Sequence, residues 1–529
     1  MNIDCLLTRV WEYKYFISNY KGVEKVNFIT TNIEVYSRVL LEGEKNITFL
    51  DFAGENKNGE YEAVIESDIR ARIFDFQTSE IRYGNKITPN NGNGWEHLNI
   101  YFIIYGIIRI LNLSKFLARE LNARYKIYMF MYNNPPDYYF ENEVSQYFLY
   151  DALKSQYHHI EMIKINSPHF KPLAYSKKIV VPEGDFENAV HLPTVFYDQS
   201  RIRQEINKRN IQIIDIESPY WDVPICNNRA NLLEVIDYKN FLSIDKNKNY
   251  IISYKEIFSE LMRQYNIPKE IYSRMEVRLL QRSIFQLESY LALEESNSIS
   301  SIKALDISDH ETGLHGPLMS IAQNRGWSVN VEPHSAYVIG PLPFTSRCKS
   351  DKIFKPLNFN STLRVDYCLP NSSYAVEKIL TRKFNTNEKN ILIVLNELDD
   401  VVGVPHLSLL DLIEGLSFFQ KTIKDKGYSL RIRHKPSHSY ENLIGENIEK
   451  ANGSIEDCIQ WAHYYIGIGE PTSLITKFHL NGTICMQISS ENIIPSARNY
   501  LPEDIFILEK FDYKYLFNCV AQFFDGLNS

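Results

Sequence analysis

"YYIGIGEPTSLITKF", Tyr464 to Phe478, decides the fold class. Its first six residues form a short apolar run bounded by a turn, the pattern of a strand buried on both faces of a sheet. Proline and two hydroxyl residues follow. An apolar run at helical spacing then begins, so the stretch reads as strand, turn and helix start, with Ser473 in the first turn.

Working outward, the same unit recurs. "ILIVL" (391–395) reads as a strand, a helix covers about Ser408 to Lys426, and "SLRIR" (429–433) is the next strand. Another helix ends near Gln460 to His463, and "TICMQI" (483–488) is a further strand. Upstream, strand-like runs at 26–31, 47–52, 125–132, 211–216, 302–307 and 328–331 are separated by helix-like ones, and the chain itself opens on a strand. Residues 254–296 carry long helical periodicity interrupted at Pro268. Alternation of this kind predicts parallel sheets with helices on their faces. The expected fold is α/β, with two Rossmann-like domains facing a central cleft. Segment 341–388, with Pro341, Pro343, Pro356 and Pro370 among many Ser, Thr and Asn residues, reads as an interdomain connection. The expected domains are therefore 1–340, on the acceptor side, and 389–529, on the nucleotide side, with the last helix packing back on the first domain.

Composition narrows the function. A chain of 529 residues with 44% hydrophobic content can bury a large core, roughly two to four domains' worth. A net charge of −8 offers no basic field, so no nucleic-acid partner is expected. Seven scattered cysteines without a CxxC pair argue against a zinc knuckle or a disulfide framework and fit a reducing cytoplasmic compartment. The N-terminus lacks the basic and apolar regions of a secretory signal. "HLNIYFIIYGIIRILNLSKFL" (97–117) is apolar but interrupted by Asn99, Gly106 and Arg109, so a buried core helix is expected there, not a membrane span.

In open α/β sheets, ligands bind outside the carboxyl ends of the strands. Polar clusters stand at those ends. His434, Lys435 and Pro436 follow one strand; Gly469, Thr472 and Ser473 follow the next in sequence; Asn396 follows "ILIVL". A helix start with hydroxyl side chains suits a phosphate. "NELDD" (396–400) reads as a solvated loop beside that ligand, and Arg431 and Arg433 as a solvated basic strand face. In the first half, "ALDISDHETGLHGPLMSIAQNRGWSVNVEPHS" gathers Asp306, Asp309, His310, Glu311 and His315 after one strand, and His334 and Ser335 after another. Carboxylates facing a cleft serve as acid, base or nucleophile. Asp306, at the strand's end, also fits turn hydrogen bonding.

The pattern strand-His-x-Pro followed by strand-Gly-x-x-Thr-Ser-helix resembles the two-domain glycosyltransferases of the GT-B type. It is most similar to those using CMP-activated acidic sugars: bacterial sialyl- and polysialyltransferases and the β-Kdo transferases of surface polysaccharides. The resemblance covers the C-terminal half and about 301–335. It implies that His434 with Pro436, and Thr472 with Ser473, grip the CMP, and that Asp309 or Glu311, ahead of Gly313, supplies the catalytic carboxylate. Lys435 separates His434 from Pro436, and "DHETG" is more open than the family's acid-acid-Gly pattern. The implied partners are a nucleotide-sugar donor and a glycan acceptor, free or lipid-linked, at the inner face of the membrane.

The chemistry follows from the bond broken. Cleaving a sugar–phosphate bond leaves oxocarbenium-like charge on the sugar and negative charge on the phosphate. His434, the helix start at Ser473 and Lys435 answer the second, so no metal and no other cofactor is expected. A carboxylate across the cleft either deprotonates the acceptor, inverting the centre, or attacks it, retaining the configuration. A UDP- or GDP-sugar or a CDP-polyol donor, and a non-catalytic polysaccharide-binding or assembly role, stay open at this stage.

Overall fold

In a computed structural model of the chain, the described residues are 3–20, 26–55, 82–83, 86–87, 109–121, 126–132, 145–165, 178–182, 190–192, 212–213, 232–237, 259–260, 262–263, 267, 269, 304–307, 321–322, 325–331, 352–355, 367–368, 389–396, 398–399, 405, 407–434, 440, 443, 448–469, 472–489, 506–509, 517, 520–522 and 524. They build three parallel sheets.

The first sheet uses β1 (Ile3–Leu6), β2 (Val26–Thr30) and β3 (Ile47–Phe49), with α1 (Val10–Asn19), α2 (Ile33–Leu41) and α3 (Phe52–Glu55) after them. A small antiparallel pair, β4 (Arg82–Tyr83) and β5 (Lys86–Ile87), comes next in the chain. β6 (Ile127–Tyr132), α4 (Ser145–Gln156) and β7 (Ile160–Ile165) complete the sheet in the order β3-β2-β1-β6-β7. Of the expected core helix at 97–117, residues 97–108 lie outside the described residues; 109–120 is helical, and its Arg109, Ile110, Leu113, Phe116 and Leu117 are buried. Among the described residues no helix is long and apolar enough to cross a membrane.

β8 (Lys178–Pro182) and β11 (Leu232–Asp237) pair antiparallel. Between and after them, β9 (Val190–Leu192), β10 (Gln212–Ile213), β12 (Ala304–Ile307), β13 (Ser328–Val331), β14 (Lys352–Lys355) and β15 (Tyr367–Cys368) form the second sheet, ordered β10-β9-β12-β13-β14-β15. The range 1–340 thus carries one whole sheet and most of a second. Within 341–388, β14 and β15 extend that second sheet at its edge.

The third sheet is β18-β17-β16-β19-β20-β21, built from β16 (Asn390–Leu395), β17 (Ser429–His434), β18 (Glu449–Lys450), β19 (Tyr464–Ile468), β20 (Ile484–Ser489) and β21 (Phe506–Glu509). Its helices are α5 (Leu409–Asp425), α6 (Ile455–Trp461) and α7 (Ser473–Leu480). Leu409, Leu412, Leu416, Phe419 and Ile423 give α5 one apolar stripe at three- and four-residue spacing, buried against Ile391, Ile393, Ile432 and Ile466. Each such buried side chain contributes roughly 1.5–3 kcal/mol relative to exposure. Gly427 ends the helix at φ 77°, a conformation that glycine adopts without strain.

The first and third units are tied together by reciprocal caps. Asp51, just past β3, accepts from the Ser408 hydroxyl at 2.7 Å and from the Leu410 N–H at 3.2 Å, at the N-terminus of α5. Asp399, just past β16, accepts from the Ile33 N–H at 3.3 Å, at the N-terminus of α2. Each carboxylate meets unpaired N–H groups and the positive end of a helix dipole. Ile33 enters the apolar cluster of the third unit, where Tyr36 and Phe49 pack against it. Buried Arg109 adds a hydrogen bond to the Pro405 carbonyl at 3.4 Å.

The carboxyl end of β1 is closed by a polar knot. The Thr8 N–H and hydroxyl donate to the Glu12 carboxylate at 2.6 and 2.8 Å. Gln146 of α4 donates to Glu12 and, at 2.7 Å, to the Thr8 hydroxyl oxygen. Complete burial raises the Glu12 carboxyl from 4.5 to about 7, against the opposing pull of the Thr8 bonds and of Arg9. Its folded value lies above its unfolded one, so its contribution is fully present below about pH 4.5 and is lost as pH rises through 7. Between pH 5 and pH 8, wild type should therefore lose about 2–3 kcal/mol relative to Glu12→Gln, measured by urea denaturation at both values. Parallel pH profiles for the two proteins would refute this assignment.

Candidate functional site

β16 comes first in the third sheet; β17 and β18 lie to one side of it and β19 to β21 on the other. The direction of winding reverses between β16 and β19, which is where an open α/β sheet leaves a crevice. The two cores show the parting. α5 covers the face bearing Ile391, Ile393, Ile432 and Ile466, whereas Ile475 and Phe478 of α7 cover the face bearing Leu392, Val394, Tyr465 and Cys485. The loops leaving β16 and β19 thus diverge to opposite faces from a shared last rung, the Asn396 N–H to the Ile468 carbonyl at 2.9 Å.

The residues around that rung are Asn396, Gly469 and Thr472. Gly469 has φ 90°, donates to the Ile488 carbonyl at 3.2 Å and accepts from the buried Gln487 amide at 2.8 Å. Its position is held from both sides, and a side chain there would strain the backbone. Thr472 is the N-cap of α7; its hydroxyl oxygen accepts from the Leu474 N–H at 3.4 Å, leaving the hydroxyl hydrogen free to donate elsewhere. Ser473 is the first helical residue. The start of α7 therefore presents N–H groups and a hydroxyl toward the crevice end of the sheet.

His434 ends β17, opposite Leu395. His434 and Ser473 follow strands that succeed one another in sequence, but those strands are not neighbours in the sheet, since β16 lies between β17 and β19. By alternation His434 shares the α5 face with Leu430 and Ile432, and its ring meets Tyr440 edge-on at 6.2 Å. His434 and α7 thus stand at the same end of the sheet on opposite faces, with Asn396 on the strand between them. Two strand spacings separate β17 from β19, about 10 Å.

Asn396 is 5% exposed, and its amide nitrogen has no hydrogen-bond partner. It lies beside the Tyr465 hydroxyl, which is also buried and with which its side chain interacts. Burial, with Cys485 adding to it, pushes the Tyr465 phenol far above its ordinary range, so it stays a neutral donor. The Gln487 amide fills the space over Gly467, where a Cβ would collide with its oxygen. Tyr465 and Gln487 were not picked out from the sequence. The available signal was a glutamine inside the apolar run "TICMQI" and the alternation of Tyr465, Gly467 and Gly469 on one face.

Other expectations change. The described residues of "NELDD" are not solvated: Asn396 and Leu398 are buried, and Asp399 caps α2 and pairs with Pro405 in an isolated bridge. Nor are the arginines a free basic face. Arg431 pairs with Glu449 at 2.7 Å and lies 4.3 Å from the Trp461 ring centre, while Arg433 donates to the Gly453 carbonyl at 2.9 Å. Asp306 lies in β12, in register with His191 of β9 and Asn330 of β13. β9 and β12 flank the reversal of winding in the second sheet. Asp309, His310, Glu311, Gly313, His315, His334, Ser335, Lys435 and Pro436 lie outside the described residues.

No protein-family model matches the sequence. No curated protein matches it either. Among solved structures the chain is similar to MurG of Acinetobacter baumannii, at 13% identity and a TM-score of 0.28, over 76% of this chain and 91% of that one. A likeness of that degree carries no argument for fold or function.

The Gly467 contact can be measured. Gly467→Ala should lower the urea midpoint at unchanged slope, a loss of about 1–3 kcal/mol from forcing a methyl group against Gln487. An unchanged midpoint would mean that the amide does not sit over this glycine.

Proposed function

We propose that the protein is a glycosyltransferase of the two-domain type, moving an acidic 2-keto sugar from a CMP donor to a glycan acceptor. The observation that carries this reading is the meeting of Asn396, Gly469 and the α7 start at the switch point of the third sheet, with His434 on its other side. A nucleoside phosphate fits there, because helix N–H groups, a Thr hydroxyl and an imidazole all answer negative charge. The preference for CMP and for an acidic sugar comes from the resemblance to sialyl- and Kdo transferases in the His434–Pro436 and Thr472–Ser473 motifs.

In this reading the leaving phosphate rests at the start of α7, and His434 stabilises the charge that develops as the glycosidic bond to phosphate breaks. Asp309 or Glu311, on the segment that begins two residues after Ile307, meets the acceptor hydroxyl or the anomeric carbon. Charge on the phosphate is met by protein donors, so the reaction proceeds without a metal.

Calorimetry on the full chain should show CMP binding more tightly than UDP, and turnover should persist in EDTA. Equal affinities would sink the donor preference; full loss with EDTA and rescue by manganese would sink metal independence. Among the acids, Glu311→Gln or Asp309→Asn, one and not both, should reduce turnover by orders of magnitude while CMP affinity holds. Near-normal rates in both variants would place the carboxylate elsewhere.

A further inference from the structure

The second sheet departs from the rule that the strands of a parallel sheet, covered on both faces, read as continuous apolar runs. "ILIVL" of β16 keeps that rule; "VHL" of β9, "ALDI" of β12 and "SVNV" of β13 alternate instead. The registers bring the alternation into line. His191 stands level with Asp306, Asp306 with Asn330, and Asn330 with Lys352 of β14, on four neighbouring strands. Successive residues of a strand fall on opposite faces, and residues in register on parallel neighbours share one. Val190, Leu192, Leu305, Ile307, Val329 and Val331 therefore lie on one face, and the four polar residues form a row across the other, spanning three strand spacings, about 14 Å. His191 and Asp306 are each one residue from the carboxyl end of their strand, and β9 and β12 flank the reversal of winding. Ligands of open α/β sheets bind just beyond such a pair of strand ends.

We propose that this row is the acceptor site, with His191 as the general base for the acceptor hydroxyl and Asp306, one strand away, as the residue that positions the imidazole. An imidazole, a carboxylate, an amide and an ammonium offer donors and acceptors together. A simple anion is repelled by Asp306 and a simple cation by Lys352, whereas sugar hydroxyls, each both donor and acceptor, suit all four. In the step that forms the new glycosidic bond, the acceptor oxygen bonds to the anomeric carbon while the bond from that carbon to its leaving oxygen breaks, and the bonding pair stays on that oxygen. The acceptor's proton passes to His191, giving an imidazolium that the Asp306 carboxylate stabilises, and is then released to water. Of the two places open to Asp309 or Glu311, the anomeric carbon is then the one left. The inference rests on the glycosyltransferase reading and assigns the base and the acceptor contacts within it.

The test uses the full chain and follows, against pH, the release of CMP from CMP-sialic acid and from CMP-Kdo with water as the acceptor; calorimetry gives the affinity for CMP. His191→Gln should lower the rate about a hundredfold or more, abolish the fall in rate on the acid side of the pH profile and leave CMP affinity unchanged. Asp306→Asn should lower the rate less and move that acid limb to lower pH, because the carboxylate that favours the charged imidazole is gone. His158→Gln, at an exposed histidine in the turn before β7, should behave as wild type. Melting temperatures accompany each variant, and His191→Asn replaces His191→Gln if that protein does not fold. If wild type releases CMP and the His191 variant keeps its rate and pH profile, the row is structural and this inference fails while the glycosyltransferase reading stands. The same holds if neither His191 variant folds. An acid limb that stays in place in Asp306→Asn overturns the pairing of Asp306 with His191. Release of CMP from neither sugar by wild type overturns the donor reading, and this inference with it.

Discussion

One main-chain hydrogen bond, from the Asn396 N–H to the Ile468 carbonyl, marks the place on which the third unit is organised. It is the last rung between β16 and β19, and the chain beyond it parts to opposite faces of the sheet. That parting is forced. A parallel strand needs a crossover helix, and once crossovers have gone to both sides of β16, the two loops at the reversal cannot lie against each other. Asn396, Gly469 and Thr472 are all on this rung or a few residues from it.

The second constraint acts from a distance. The loop between Asn396 and Ser408 is gripped at Asp399, Pro405 and Ser408 by groups of the first unit, through α2, Arg109 and Asp51. Residues 3–165 therefore do more than add a domain. They hold the outgoing limb of the crevice, and they do so with charge placed at helix starts, where it also satisfies unpaired N–H groups. The same carboxylate chemistry closes the first unit's own crevice with Glu12, so one physical device, an acid beside a helix N-terminus, is used for locking in one place and for docking in another.

Much of this was legible in the sequence. "ILIVL", "SLRIR" and "YYIGIG" could be read as strands because central parallel strands are continuous apolar runs, and Ser408 and Thr472 announced helices by their capping chemistry. The polar residues at strand ends were visible for the same reason. Sheet order was not: neighbours in sequence need not be neighbours in the sheet, and so His434 was paired with Ser473 across a strand that actually separates them. Asp399 looked like a solvated acid because its partner, the Ile33 N–H, lies 366 positions away and leaves no local pattern. Tyr465 and Gln487 were hidden inside apolar runs, where a polar side chain is seen as an exception only once its burial is known.

The reciprocal caps also carry a cost during biosynthesis. Ile33 finishes in the apolar cluster of the third unit, and Asp51 finishes on Ser408, 357 residues later. At a translation rate of about 5–20 residues per second, that delay is roughly 20–70 s. During it, one face of the newly made first unit, including Ile33, Tyr36 and Phe49, waits uncovered beside a growing chain that is building an unrelated sheet. Such a surface is a natural client for a chaperone, and it gives the nascent protein a built-in vulnerability that ends only when the third unit leaves the ribosome.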